Sequence, residues 1–257
     1  MNSISSAGGG RSGSSVHYYY YRATKHATNT DVTYTTQLSV DRLERLAFIA
    51  SAYGGPVSAA VIVENQQQLQ LLQHFITTTT TAVREYVNVH LVYHQYRYYP
   101  INYLRNIASH AATTSLVLHC DVDFIPSIGA HAFLKKMATT MLNATTTNPL
   151  SSVFVVAAFE LPLGASLRHD GSARVPRTKH EIVRLLRSSR ARQVHHHRHY
   201  HSHGATNYHQ WVTATTIYTI NYHLYYEPFV VTRRASAPPA TTFTSSSSSD
   251  SSSSSSS

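Results

Sequence analysis

The nine residues "PVSAAVIVE", Pro56 to Glu64, constrain the fold more than any other stretch. From Val57 to Val63 the residues are apolar or small, without the polar alternation that keeps one face of a strand in water. A run this short and continuous reads as a strand buried on both faces, as in parallel sheets covered by helices on each side.

The flanking segments agree with that reading. "DVTYTTQLSV" (31–40) has the β-branched and aromatic content of a strand. "DRLERLAFIASAYGG" follows as a helix that buries Leu43, Leu46, Ala47, Ala50 and Tyr53, with Ser39 placed to cap it and Gly54-Gly55 to end it. Asn65 is placed to cap the next helix, whose Leu69, Leu72 and Ile76 form one stripe, and the Thr77–Thr81 run is either a low-complexity insert or the helix exit. A third strand (86–94), a third helix (99–112), a fourth strand "SLVLHC", a fourth helix "SIGAHAFLKKMATTML" and a fifth strand (152–160) continue the alternation. Such a pattern predicts a mainly parallel α/β sheet with right-handed crossovers. Beyond Glu160 the pattern loosens to a helix in "TKHEIVRLLRSSR", where Thr178 and Glu181 have capping-box spacing, and to one or two strands within 213–234.

The chain has 257 residues and 42% hydrophobic content, enough for a real core. Its ends fall outside that core. Residues 1–30 are rich in Ser, Gly, Tyr and His, and 235–257 run from Pro/Ala/Thr into nearly pure Ser, so both read as disordered. The folded domain is expected over 31–234. A net charge of +9 points to an anionic partner. Cys120 is the single cysteine, which excludes an intrachain disulfide, and its place at the end of an apolar run makes it a buried thiol. No stretch approaches the length of an apolar membrane span, and Met1–Arg11 lacks the apolar part of a signal peptide. The sequon Asn143-Ala144-Thr145 is expected in a loop.

Chemistry concentrates in "LVLHCDVDFIPSIGA" (116–130). On a regular strand Asp121 and Asp123 would face opposite ways, but the strand gives way to a turn there, and both can reach one point. Carboxylates are hard oxygen ligands suited to Mg²⁺ or Mn²⁺, ions that also take phosphate oxygens and water. The other reading of the triplet is two polar residues closing a strand. Ligands of parallel sheets bind beyond strand carboxyl ends, where this pair lies. One helix earlier, Asn102, Arg105 and Asn106 form a polar stripe opposite Ile101, Leu104 and Ala108. Arg105 could present its fork of donors to a phosphate or carboxylate in the same crevice, or simply be solvated. The histidine run 195–203 reads as a biased loop rather than a metal site, because such sites need fixed geometry and supporting hydrogen bonds.

Taken in order, "TQLSVDRLERLAFIASAYGGPVSAAVIVE", "YPINYLRNIA", "LVLHCDVDFIPSIG", "VVAAFE", "VPRTKHEIVRLL" and "HGATNYHQWVTATTIYTINYHLYYEPFVV" resemble the successive blocks of glycosyltransferase family 49. The resemblance covers about Asp31 to Arg234. It implies a GT-A fold, a UDP-sugar donor, glucuronate by analogy with the family's glucuronyltransferases, and a glycan or glycoprotein acceptor. It also implies Mn²⁺ (or Mg²⁺) held by Asp121 and Asp123, with Asp121 reaching the donor as well. Gln37 and Ser39 match a block near the nucleotide, Arg105 and Asn106 a block near the donor, and Asn207, Tyr208 and Trp211 a block facing donor or acceptor sugar. A Golgi location follows from the family. Nucleic acid is not an expected partner, since no recognised binding module is present and the aromatics are not interleaved with the arginines.

After "EPFVV" the family continues with a glycine-rich segment and a late histidine that completes the metal site. This chain turns instead to "ASAPPATTFTSSSSSD", so the fold is expected to be incomplete at its carboxyl end. An inverting transfer needs a general base. Among twelve acidic residues, Glu160 and Glu227 remain as candidates once helix-face, loop and metal assignments are removed. Two functions stand first, a metal-dependent inverting glycosyltransferase and an inactive remnant that keeps nucleotide or glycan binding; a basic protein binding nucleic acid is the third and least supported.

Overall fold

The computed structural model of the chain describes residues 15–93, 98–147, 153–161, 175–194 and 200–234. Strand β1 (Ser15–Tyr21) precedes β2 (Val32–Ser39), a 3-10 turn (Val40–Arg42), α1 (Leu43–Tyr53), β3 (Val57–Val63), α2 (Gln66–Thr78), α3 (Thr81–Tyr86) and β4 (Val87–Tyr93). Then come α4 (Ile101–Ala111), β5 (Leu116–His119), α5 (Ala130–Thr147), β6 (Phe154–Val156), β7 (Phe159–Glu160), α6 (Lys179–Arg187), β8 (Arg192–Gln193), α7 (Tyr200–Gly204), α8 (Tyr208–Thr213) and β9 (Phe229–Arg233).

One seven-stranded sheet has the order β1-β4-β3-β2-β5-β9-β6. Its centre, β4, β3, β2 and β5, is parallel, while β1, β9 and β6 join antiparallel. Helices flank it, which is the architecture expected of the GT-A fold. As the "PVSAAVIVE" run requires, every residue of β3 is buried. Leu46, Ile49, Leu72, Val83 and Leu134 cover one face from α1, α2, α3 and α5, and Leu104, Ile107 and Ala108 of α4 cover the other. The chain runs outward from β2 to β3 to β4 and then returns through α4 to the far side of β2. Strand order therefore reverses between β2 and β5, which opens a crevice at their carboxyl ends.

Several end signals act as read. Asn65 Oδ1 accepts from the Gln68 amide at 2.9 Å, and Gly54 takes a left-handed φ of 66° to end α1. Gly55 cannot be replaced freely, since a Cβ there would sit 2.2 Å from the His131 ring. Thr178 accepts from the Glu181 amide at 3.2 Å, and Glu181 reaches back to the Arg177 amide at 2.8 Å.

Other readings are corrected. Residues 15–21 form β1, placed outside the core by composition, because β4 leaves an open edge that their backbone can pair with. Ser39 makes no cap hydrogen bond; its hydroxyl donates to Asp41, and a 3-10 turn separates it from α1. Ile101 is exposed, and Ile107 takes its place in the core. The expected fifth strand breaks into β6, in the main sheet, and β7, which pairs with β8 in a separate two-stranded sheet. Within 213–234 only β9 is a strand. The Asn143 sequon lies in α5 rather than a loop. Residues 195–199 of the histidine run, residues 1–14 and the tail from 235 lie outside the described residues.

The residue just before β2 is anchored from α5 and from the loop ahead of it. Buried Asp31 accepts from Lys135 Nζ at 2.7 Å, His131 Nε2 at 3.0 Å and the Thr28 amide at 2.7 Å. Burial opposes ionisation of this carboxyl, but the Lys135 ammonium and the Thr28 donors outweigh it and hold its pKa at about 2.

Candidate active site

β2 and β5 are in register from Val32–Leu116 to Thr35–His119, and β2 then runs four residues further than its neighbour. The chain after His119 thus leaves the sheet beside Gln37–Ser39, which are still extended. One more amide, that of Cys120, bonds to the Thr35 carbonyl at 3.2 Å before the turn. The turn closes when the Phe124 amide donates to the Asp121 carbonyl at 3.1 Å. Tyr34, buried in β2, pins it by donating its hydroxyl to the Phe124 carbonyl at 2.8 Å. Cys120 is partly buried rather than the fully buried thiol expected, and desolvation of its sulfur still pushes the thiol up to about 12, so it is an unreactive packing group.

The two carboxylates are approached from opposite faces of the sheet. Asp121 Oδ1 accepts from Arg105 at 2.7 Å and from Gln37 Nε2 at 3.3 Å. The Tyr99 hydroxyl in turn donates to Gln37 Oε1. Burial first, and the charge of Asp121 next, push the Tyr99 phenol up to about 12, so it stays a neutral donor. Asp123 Oδ1 accepts from Arg42 at 2.7 Å and lies 3.5 Å from Arg45 Nε. Arg42 also sits 3.3 Å from Asp41, and Asp41 is tied to the Ser39 hydroxyl. The aspartates share no partner side chain among the described residues. Their partners come instead from α4 and β2 for Asp121, and from the 3-10 turn and α1 for Asp123.

Asp121, Asp123 and the three arginines are each between about a third and a half exposed. Ion pairs so exposed contribute little to stability. Three guanidiniums gathered at a strand's carboxyl end are therefore poorly explained by folding, and the arrangement suits an anionic ligand brought to a carboxylate-bound cation. Each aspartate leaves Oδ2 without a partner among the described residues. Two hard oxygens completed by phosphate and water match the chemistry of Mg²⁺ or Mn²⁺. No group of three or more His, Cys, Asp or Glu side chains able to hold a metal occurs among the described residues.

The sequence-predicted residues divide into two groups. Gln37, Arg105, Asp121 and Asp123 meet at the turn, and Ser39 touches it through Asp41 and Arg42. Asn106 is exposed and bonds to neither aspartate among the described residues. The block 207–211 packs elsewhere. Asn207, at φ 51°, caps α8 by accepting from the Gln210 amide, and buried Tyr208 donates to the Ala158 carbonyl at 2.9 Å. Trp211 lies 4.8 Å from the Phe159 ring, with the Lys179 ammonium 4.6 Å above its own. Glu160 is ion-paired with Arg192 at 2.7 Å, and Glu227 is exposed. Sequence reasoning missed Tyr34, Arg42, Arg45 and Tyr99. For the two arginines a signal existed: "VDRLER" directly follows a strand carboxyl end, the same end that carries the aspartates.

A second feature lies at this end of the sheet. β9 runs antiparallel to β5, with Val230 opposite His119, so Phe229 reaches the turn and packs its ring 4.3 Å from Phe124. The segment 214–228 thus enters from the aspartate end. Between it and α8 is a groove of about 820 Å³ whose side chains, among them Asn207, His209, Gln210, Asn221, His223 and Tyr225, carry no carboxylate, lysine or arginine.

The chain is similar to known glycosyltransferases. A family model described as "Glycosyl-transferase for dystroglycan" matches residues 31–98 and 95–254. Xylosyl- and glucuronyltransferase LARGE1 of Mus musculus is 33% identical over 214 residues, covering 83% of this chain and 27% of the relative. LARGE2s of Danio rerio is 34% identical over 205 residues (80% and 26%), and the glycosyltransferase-like protein gnt14 of Dictyostelium discoideum 31% over 204 (79% and 30%). The chain spans less than a third of the length of these relatives.

Proposed function

Because this chain belongs to the family of glycosyl-transferases for dystroglycan, we propose that its aspartate turn binds the diphosphate of a UDP-sugar together with Mn²⁺ or Mg²⁺, for transfer of glucuronate to a glycan acceptor in the Golgi lumen. The observation that carries this is the pairing of Asp121 and Asp123 with three arginines at the point where strand order reverses.

Asp121 and Asp123 would hold the cation, which when bound supplies Lewis-acid neutralisation of charge on the leaving diphosphate. The chain's own residues set the frame. Tyr99 fixes Gln37, and Gln37 with Arg105 fixes the Asp121 carboxylate, so this group is oriented before any ligand arrives. Tyr34 holds the turn from beneath. The groove beside α8, free of carboxylate, lysine and arginine side chains, would take the acceptor, with amides for sugar hydroxyls and Tyr225 as an apolar platform. Of the two base candidates, Glu227 fits better. It lies two residues before Phe229, which packs against the turn, whereas the carboxylate of Glu160 is occupied by Arg192.

Calorimetric titration with UDP tests the reading. Binding should require Mn²⁺ and should weaken by more than roughly 100-fold in Asp123→Ala. Binding indifferent to both would overturn it. A second reading, a remnant that binds without turnover, is favoured by the Arg192 ion pair on Glu160, which occupies one of the two base candidates. Hydrolysis or transfer from UDP-glucuronate separates the two.

A further inference from the structure

Asp123 has two guanidiniums on one carboxylate oxygen, from Arg42 and, one helical turn later, Arg45. A single arginine would neutralise it. Arg42 is also shared with Asp41, which the Ser39 hydroxyl holds at the carboxyl end of β2. If Arg42 leaves Asp123 it therefore stays tethered at the site rather than dispersing into solvent. Around the turn, Arg42, Arg45 and Arg105 balance Asp41, Asp121 and Asp123 in charge. A divalent cation entering alone would break that balance toward positive, and would have to displace guanidiniums that then face it. A diphosphate entering with the cation restores the balance and gives the displaced guanidiniums oxygens to bind, the geometry arginine serves best.

We infer that Arg42 and Arg45 stand in for the cation at Asp123 and transfer to the diphosphate when donor and metal arrive, which couples the two binding events. The inference rests on the proposed reading of the aspartate turn. Half-exposed ion pairs are weak enough to exchange at small cost, and long arginine side chains on a rigid helix start can swing between the two partners. Coupling of this kind is reciprocal: UDP must tighten Mn²⁺ by the same factor that Mn²⁺ tightens UDP.

The experiment measures free Mn²⁺ by electron paramagnetic resonance, with and without UDP. It compares the wild-type chain, the double variant Arg42→Gln/Arg45→Gln and the double variant Arg42→Lys/Arg45→Lys. The wild type should bind Mn²⁺ weakly alone and more tightly with UDP. The glutamine variant should bind Mn²⁺ alone roughly three- to tenfold more tightly, because the competing charge is gone. It should also lose a similar factor in UDP affinity at saturating Mn²⁺. The lysine variant should keep most of the coupling. Glutamine substitution that weakens Mn²⁺ alone, or leaves the coupling factor unchanged, would overturn the exchange while the reading of the turn stands. A wild type that binds neither Mn²⁺ nor UDP would overturn both.

Discussion

The two ends of the chain's described fold are built by different means. From β2 to β5 the protein is a parallel core: β3 is buried throughout, and Tyr34, Leu46, Ile49, Leu72 and Leu104 are sealed between sheet and helices. From Val153 onward the strands have two to five residues, and Ile217, Tyr222, Leu224 and Tyr225 lie on the surface. This second part is joined to the first through β9 and the ring contact of Phe229 with Phe124. The contrast suits the proposed chemistry. A diphosphate is the same in every donor and rewards a rigid frame, whereas acceptors differ and are met by surface segments that tolerate change.

Three substitutions put this contrast to measurement. The largest effect is expected in the core. Leu46→Ala should cost about 2–5 kcal/mol in urea denaturation, from lost transfer energy and the cavity left behind. A cost under about 1 kcal/mol would mean that the parallel half is not the stable half.

His90 tests the same half by pH. It is fully buried in β4, where its Nδ1 accepts from the Tyr19 amide at 3.0 Å. Nε2 therefore carries the proton and faces Ser58 Oγ at 3.0 Å, and the Ser58 hydroxyl passes on to the Ala108 carbonyl at 2.6 Å. Burial, then the charge of Arg22, lower its pKa to about 4. The folded state thus holds the neutral ring, and between pH 6.5 and about 4 the unfolded chain binds more protons. Stability from this group is present above 6.5 and lost as pH falls through that window, by an amount on the order of 3 kcal/mol. Denaturation midpoints measured across the window should show the slope in the wild type and a flatter profile in His90→Asn. An unchanged slope would remove His90 as its source.

The smallest effect is expected on the other side. Tyr222→Ala should stay within about 0.5 kcal/mol by the same denaturation assay, as for an exposed side chain. A cost above about 2 kcal/mol would show that the 214–228 segment is part of the core and would erase the contrast.

Legibility followed the same division. Local rules placed β2 to β5 and the caps at Asn65, Gly54 and Thr178, because each depends on residues within one turn or one strand. The aspartate turn was visible for the same reason, being a polar pair at the end of an apolar run. Strand β1 was not, since an exposed run of tyrosines has no apolar period and is fixed only by the open edge of β4. Arg42 and Arg45 were read only as part of a helix start, since their partner Asp123 is about 80 residues away. The 207–211 block was legible as a block but not as a contact, because Tyr208 and Trp211 choose their neighbours on β7, a strand no periodicity separates from β6.

A parallel α/β core and a carboxylate pair at its rim follow from local composition alone, in which burial on both faces and strand-ending polarity are written. What meets that pair depends on how the chain packs. Reversal of strand order at β2 brings α4 and the start of α1 to the same rim from opposite faces, and with them the three arginines, Gln37 and Tyr99. Charges so far apart along the chain find one another only after the hydrophobic core has fixed the helices that carry them.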